Sequence, residues 1–167
     1  MISPDHVRTM AAYNAWQNRS LYGAAAKLDD AARRLDRGAF FRSIHGTLAH
    51  LLWADRLWLH RLTGLPKPNR GSIAESVNEE EEWEALAAAR RACDGTIADW
   101  AGAITPEVLA DSLSWYSGSI SRQITKTVWV IVTHLFNHQT HHRGQVHAML
   151  TAAGVRPEAT DLILLPD

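Results

Sequence analysis

At 167 residues the chain has the length of a single domain, 1–167, able to bury about two-thirds of the surface its unfolded form exposes. Lys and Arg number 17 against 18 Asp and Glu, a net charge of −1, which excludes a basic stripe for a phosphate backbone and so makes nucleic acid an unexpected partner. Cys93 stands alone, the start MISPDHVRTMAAY has no basic region or apolar run of a secretory signal, and no window approaches the roughly 20 apolar residues of a membrane span; a cytoplasmic protein with no membrane partner is expected.

Ser3 as N-cap and Pro4 at the first helical position predict a helix running to about Leu28. At about 100° per residue, Val7, Met10, Leu21, Ala25 and Leu28 share one face with Asn14 and Asn18. These amides either bond to neighbouring backbone and water or orient something in the interior. After the polar link DDAARRLDRGAF, a second helix is expected from about Arg42 to Leu62, ended by Gly64 and Pro66. The stretch TGLPKPNRGS then reads as a loop.

Ser76 with Glu79 three residues on has the pattern of a capping box, which predicts the start of a third helix carrying Trp83, Leu86, Arg90, Cys93, Ile97 and Trp100 at helical spacing. The acidic run Glu79–Glu82 then falls in its first turns as a solvated cap that suits the helix dipole. Cys93 has no second cysteine and no cationic cluster on its face, so its expected role is buried filler. Thr105 and Pro106 begin a short turn, and the stretch around Leu113, Trp115, Ile120 and Ile124 reads as a β-hairpin or two extended arms. A fourth helix runs from about Thr127 to Ala153, closed by Gly154 and Pro157. The expected class is all-α: a four-helix bundle with long connections and a small hairpin before the last helix.

That last helix concentrates five of the chain's nine histidines in HLFNHQTHHRGQVH. Val128, Ile131, Leu135, Val146 and Met149 define its apolar stripe; His138 and His142 project into it, while His134 and His141 fall at its edge and His147 has no assigned role. The i, i+4 spacing of His138 and His142 stacks two imidazoles one turn apart so that their nitrogens can converge on one ion. His134 cannot join both, because residues i and i+8 lie about 12 Å apart along the axis and ligand nitrogens sit about 2.0–2.1 Å from zinc. A third ligand is sought on the second helix, where His50 is the best placed, at mid-helix among Thr47, Ala54, Leu57 and Trp58; His45 and His60 lie near the ends and should be partly solvated. Without a metal, three buried neutral imidazoles would each need other hydrogen-bond partners.

The segments YNAWQNRSL, HLLWADRLWLHRL and NHQTHHRGQVHAML, with the ending TDLILLPD, resemble the DinB-like (DinB/YfiT, damage-inducible) family of metal-binding four-helix bundles from about Pro4 to Leu165. The resemblance places the family's metal ligands at His50, His138 and His142. It also implies a homodimer, for which seven tryptophans, among them Trp16 opposite the first helix's apolar stripe, leave material outside the core.

Three neutral histidines leave a divalent ion its full charge and an open position, as in catalytic zinc sites; Zn²⁺ suits the set, and Ni²⁺ accepts it too. Such an ion acidifies a bound water or thiol. Hydrolysis wants a base, and Asp55, His134 and His141 are the candidates; activation of a thiol makes no such demand. The resemblance points the same way, since the family includes metal-dependent enzymes that act with low-molecular-weight thiols such as bacillithiol and mycothiol. The expected function is a metal-dependent small-molecule enzyme, a thiol S-transferase or a hydrolase, the alternative being a non-catalytic metal-binding stress-response or ligand-sensing protein. Of the residues after the second helical ligand, Gln145 lies near the ligand face and is placed to bond a ligand or substrate, and Arg143 points away toward a surface pair. Gly144 in mid-helix costs about 1 kcal/mol relative to Ala, which suggests close approach of another backbone.

Overall fold

Ser3 accepts the amide of His6 at 3.2 Å, and Pro4 follows it, so α1 (Pro4–Ala25) starts where its capping residues require. It ends short of Leu28, because the amides of Lys27 and Leu28 turn to carbonyls three residues back. The computed structural model describes residues 1–118 and 120–166. What read as a plain polar link contains a short helix, α2 (Asp30–Arg34), capped by Asp29 through the amide of Ala32 at 2.7 Å.

The next helix, α3 (Ile44–Thr63), is capped by Ser43 and closed by Gly64, whose φ of 77° is the left-handed conformation of a C-terminal glycine. It starts two residues after Arg42, which itself has a φ of 64° and cannot belong to the helix. One glycine here admits a close approach: a Cβ at Gly46 would lie 2.7 Å from the carbonyl oxygen of Phe41. With hydrogen in that place, the loop before α3 folds down onto the helix and carries Phe41 inward, to 8% exposure.

The expected start of the third helix at Ser76 is corrected. Ser76–Asn78 is a single 3₁₀ turn, and α4 begins at Trp83 and runs to Ala103. Ser76 and Glu79 serve tertiary bonds instead of a capping box. Glu79 is 2% exposed, pairs with Arg56 at 2.7 Å and accepts the amides of Asn69 and Arg70 at 3.0 Å each, so it is no solvated cap; it clamps the loop after α3 against that helix. Cys93 is buried, and burial pushes its thiol up to about 11, which agrees with filler.

Thr105 caps α5 (Pro106–Ala110), and a hairpin follows. Strands β1 (Ser112–Ser117) and β2 (Arg122–Thr127) pair antiparallel, with Trp115 opposite Ile124. The last long helix, α6 (Val128–Ala152), leaves the second strand directly and ends before Gly154, whose φ is 79°. Beyond it the chain returns along α1, where Gln17 and Tyr13 bond the carbonyls of Ala159 and Thr160 at 2.9 and 2.6 Å.

The four long helices form the bundle. Both α4 and α6 flank α1, and the same two flank α3, so α1 and α3 lie diagonally opposed. The long connections on either side of α3 make that placement possible. Leu21, Leu48, Leu52, Leu86, Ile97, Leu135 and Leu150 fill the interior at 2% exposure or less, each contributing about 1.5–3 kcal/mol through burial. Among the described residues no helix is long and apolar enough to cross a membrane.

Candidate metal centre

Two helices bring three imidazoles together. His50 comes from the middle of α3, and His138 and His142 lie one turn apart on α6 where it packs on α3. One ring nitrogen from each lies within 4.8 Å of the other two, and no Asp or Glu joins the set among the described residues. Nε2 of His50 and Nε2 of His138 are 3.2 Å apart. Two nitrogens bound tetrahedrally to one ion at about 2.0–2.1 Å would be about 3.3–3.4 Å apart, so the observed spacing fits a shared ion.

Hydrogen bonds behind the rings decide which nitrogen faces the site. The Ser76 hydroxyl spends its only proton on the carbonyl of Ile73, at 2.6 Å, so at 2.8 Å from His50 Nδ1 its oxygen can only accept. His50 therefore carries its proton on Nδ1 and presents a lone pair at Nε2. His142 follows the same logic: Nδ1 donates to Gln145 Oε1 at 2.8 Å, while the Gln145 amide nitrogen lies 3.3 Å from His141 Nε2. Such partners behind the ring orient a metal-ligating imidazole and set its tautomer. The donor set thus fits a divalent ion that takes nitrogen ligands.

Burial keeps the rings neutral. Loss of solvent, and then the neighbouring histidines, hold His50 and His138 down at about 3, and burial also lowers His142. Phe41 stacks on His50 with ring centroids 3.8 Å apart and covers that face from solvent.

Beside the histidines opens a cleft of about 1060 Å³. His50 and His138 line its floor, Trp53 and Trp58 one wall, and Trp115 and Tyr116 of the hairpin another. His134 stands exposed at its mouth, edge-on to Trp58 with centroids 5.4 Å apart and 5.7 Å from the His138 ring. Partial desolvation, then the charge of Arg61, lower its pKa. His141 is exposed, beside the His142 ring at 4.8 Å.

Asp55 lies elsewhere. It is 1% exposed, paired with Arg90 at 2.7 Å and bonded by the amide of Gln139. Burial raises its carboxyl above the usual range and Arg90 opposes the rise. Its charge and the lone pairs of Oδ2 are thereby spent inside the bundle. Arg90 continues to Asp94 at 2.8 Å, and Asp94 accepts from Asn18 at 2.9 Å. On the other side Gln139 meets Arg143, and Arg143 bonds Asn14 and Thr140.

Three expectations are corrected by this network and its surroundings. Arg143 is 5% exposed rather than a surface group; the long side chain bends back into the α1–α6 interface, where the Asn14 carbonyl oxygen receives it. His45 is 1% exposed, not partly solvated, because the first turn of α3 lies under the loop whose Glu80 carbonyl accepts its Nε2–H at 3.0 Å. A Cβ on Gly144 would meet nothing within 4 Å, so no backbone approaches there. His60 is partly solvated as expected.

Sequence reasoning missed Ser76 and Phe41 as neighbours of His50, since both arrive from loops. Asn14 and Asn18 on an apolar stripe were the available signal for the buried network.

A family model of the DinB family matches residues 3–167. The chain belongs to the DinB family. It is 23% identical over 149 residues to Protein DinB of Bacillus subtilis (strain 168), a match covering 89% of this chain and 87% of that one. A DinB-like protein from Bacillus cereus ATCC 10987 has a similar fold, with a TM-score of 0.62 at 17% identity over 86% of this chain and 90% of its own. So has YfiT from Bacillus subtilis, at 0.64 and 13% over 92% and 91%; that protein is described as a probable metal-dependent hydrolase with an unusual four-helix bundle topology.

Proposed function

We propose that this DinB-family protein is a metal-dependent enzyme acting on a small molecule in the cleft, with His50, His138 and His142 holding Zn²⁺ or Ni²⁺ and a low-molecular-weight thiol as the favoured nucleophile. One observation carries the reading: three imidazoles with a ring nitrogen each within 4.8 Å of the other two, the His50 and His142 tautomers set by Ser76 and Gln145, and His50 and His138 opening onto a cleft of about 1060 Å³. A divalent ion held by neutral nitrogens alone would keep its full charge and an open position, and would supply acidification of a thiol or water bound there.

The chain's own residues supply the rest. Ser76 and Gln145 fix two ring tautomers, Phe41 shields His50, and the tryptophans give the substrate an apolar wall. Because Asp55 is committed to Arg90 and Gln139 and no Asp or Glu lines the cleft, no carboxylate among the described residues is available as a strong base. A thiol favours such a site, since ionisation alone makes it a nucleophile. Hydrolysis is the second reading. It is favoured by His134, whose lowered pKa leaves it a neutral proton acceptor at pH 7 on the cleft rim, and by the description of YfiT.

The test is turnover by Zn²⁺- and Ni²⁺-loaded protein given cellular thiols with alkylating electrophiles, and separately ester and amide substrates, with His142→Ala as control. A metal-dependent rate that the control lacks is expected with the thiol panel. Equal rates for both proteins across both panels would leave a binding or sensing role in place of catalysis.

A further inference from the structure

The cleft carries a charge asymmetry that activating a thiol does not require. Its charged lining residues are Arg61, Lys67 and Arg70, and no Asp or Glu lines it among the described residues, although the chain as a whole has a net charge of −1. A concave site walled by low-dielectric side chains concentrates the field of such charges and attracts anions.

The three cations are not equivalent. Arg70 is occupied: it pairs with Glu81 at 2.9 Å and donates to the Asn78 carbonyl at 2.7 Å. Lys67 is exposed, where a flexible ammonium is well hydrated. Arg61 is only partly exposed and has no carboxylate within ion-pair distance and no hydrogen-bond acceptor among the described residues. Its guanidinium instead rests on aromatic faces, 4.6 Å from the Trp58 ring and 5.5 Å from Trp115. Those two rings meet edge-to-face with centroids 5.3 Å apart, so α3 and the hairpin together hold the guanidinium. The two rings stand 81° apart, so the guanidinium cannot lie flat on both; its N–H donors bond no acceptor among the described residues and are left to grip an oxyanion.

We propose that Arg61 anchors an oxyanion of the substrate, a carboxylate or a phosphate, at the end of the cleft remote from the three histidines. The Arg61 backbone lies three turns beyond that of His50 on the same helix, about 16 Å along its axis. The ligand that fits is therefore an extended small molecule, with its reacting group at the histidines and an anionic group at the far end. His134 and Trp58 stand between the two ends. This rests on the cleft being the substrate site, but it concerns binding and needs neither metal nor turnover.

Metal-free full-length protein is titrated with 3-phenylpropionate, phenyl phosphate and the neutral 3-phenylpropanamide, each followed by NMR shifts of the tryptophan indole N–H groups. At least one anion should bind about tenfold more tightly than the amide, and which one does so identifies the oxyanion. Arg61→Gln should abolish that preference, Arg61→Lys should keep part of it, and Lys67→Gln should keep most of it. Equal binding of all three probes by the native protein, or a preference that survives Arg61→Gln, overturns the assignment. Since no catalysis enters, a protein inactive on every substrate can still pass, and an active one can still fail.

Discussion

Replacing Ser76 with alanine removes one atom that the candidate site depends on. Its hydroxyl, fully buried, accepts the Nδ1–H of His50 at 2.8 Å while donating to Ile73. Without that oxygen His50 has two choices. It keeps the proton on Nδ1 as a buried donor with no partner, at a cost of about 1–3 kcal/mol, or it moves the proton to Nε2 and loses the lone pair that faces His138. Both penalise the tautomer that ligates. The expected consequence is a loss of Zn²⁺ affinity of about 10- to 100-fold, read by competition with a chromophoric chelator. Ser76→Thr keeps an acceptor and should restore most of the affinity, and Ser72→Ala, on the exposed part of the same loop, should change nothing. Unchanged affinity in a folded Ser76→Ala would refute the tautomer argument, as would an equal loss in Ser72→Ala.

Gln145→Leu should weaken Zn²⁺ binding in the same assay by about 10-fold or more, and Gln145→Glu, which still accepts from His142 Nδ1, should not; parity of the two variants would show the contact to be incidental. Asp55→Ala leaves Arg90 buried at 2% exposure with only Asp94 opposite, and denaturant unfolding should show a loss of about 3–5 kcal/mol; a loss under 1 kcal/mol would mean that water reaches the pair. For His45, burial lowers the pKa below its ordinary 6.5. Above that value both folded and unfolded chains hold a neutral ring, whereas below it the unfolded chain takes up a proton first, so this contribution to stability is full above pH 6.5 and declines as pH falls. His45→Gln, which can still donate to Glu80, should flatten the pH dependence of unfolding of the metal-free protein below pH 6.5 by up to about 1.4 kcal/mol per pH unit. An unchanged slope would show that the buried ring does not titrate as its surroundings require.

Residues whose role depends on their own helix were legible in the sequence. Ser3 with Pro4, the apolar stripe of α6 and the i, i+4 pair of His138 and His142 all follow from 3.6-residue geometry, which acts over one or two turns. His50 was also within reach, because a histidine in the middle of an apolar helix has few other places to go. Loop residues were not. Ser76 and Glu79 spell a capping box by local pattern, yet a partner on α3 competes for each side chain and wins: His50 for Ser76, Arg56 for Glu79.

The sequence by itself determined that there are four long helices, their apolar faces and the two histidines that share one of them, since backbone hydrogen bonding and hydrophobic periodicity are short-range. Only the tertiary structure decided that α1 lies diagonal to α3, so that Asn14 and Asn18 meet Arg143 and Asp94. It also decided that Phe41 roofs His50, and that the Arg61 guanidinium lies over a tryptophan from the hairpin. Those contacts join residues far apart in the chain, and each depends on long connections that local propensity leaves free. Desolvation and charge then act on whatever side chains these connections bring together.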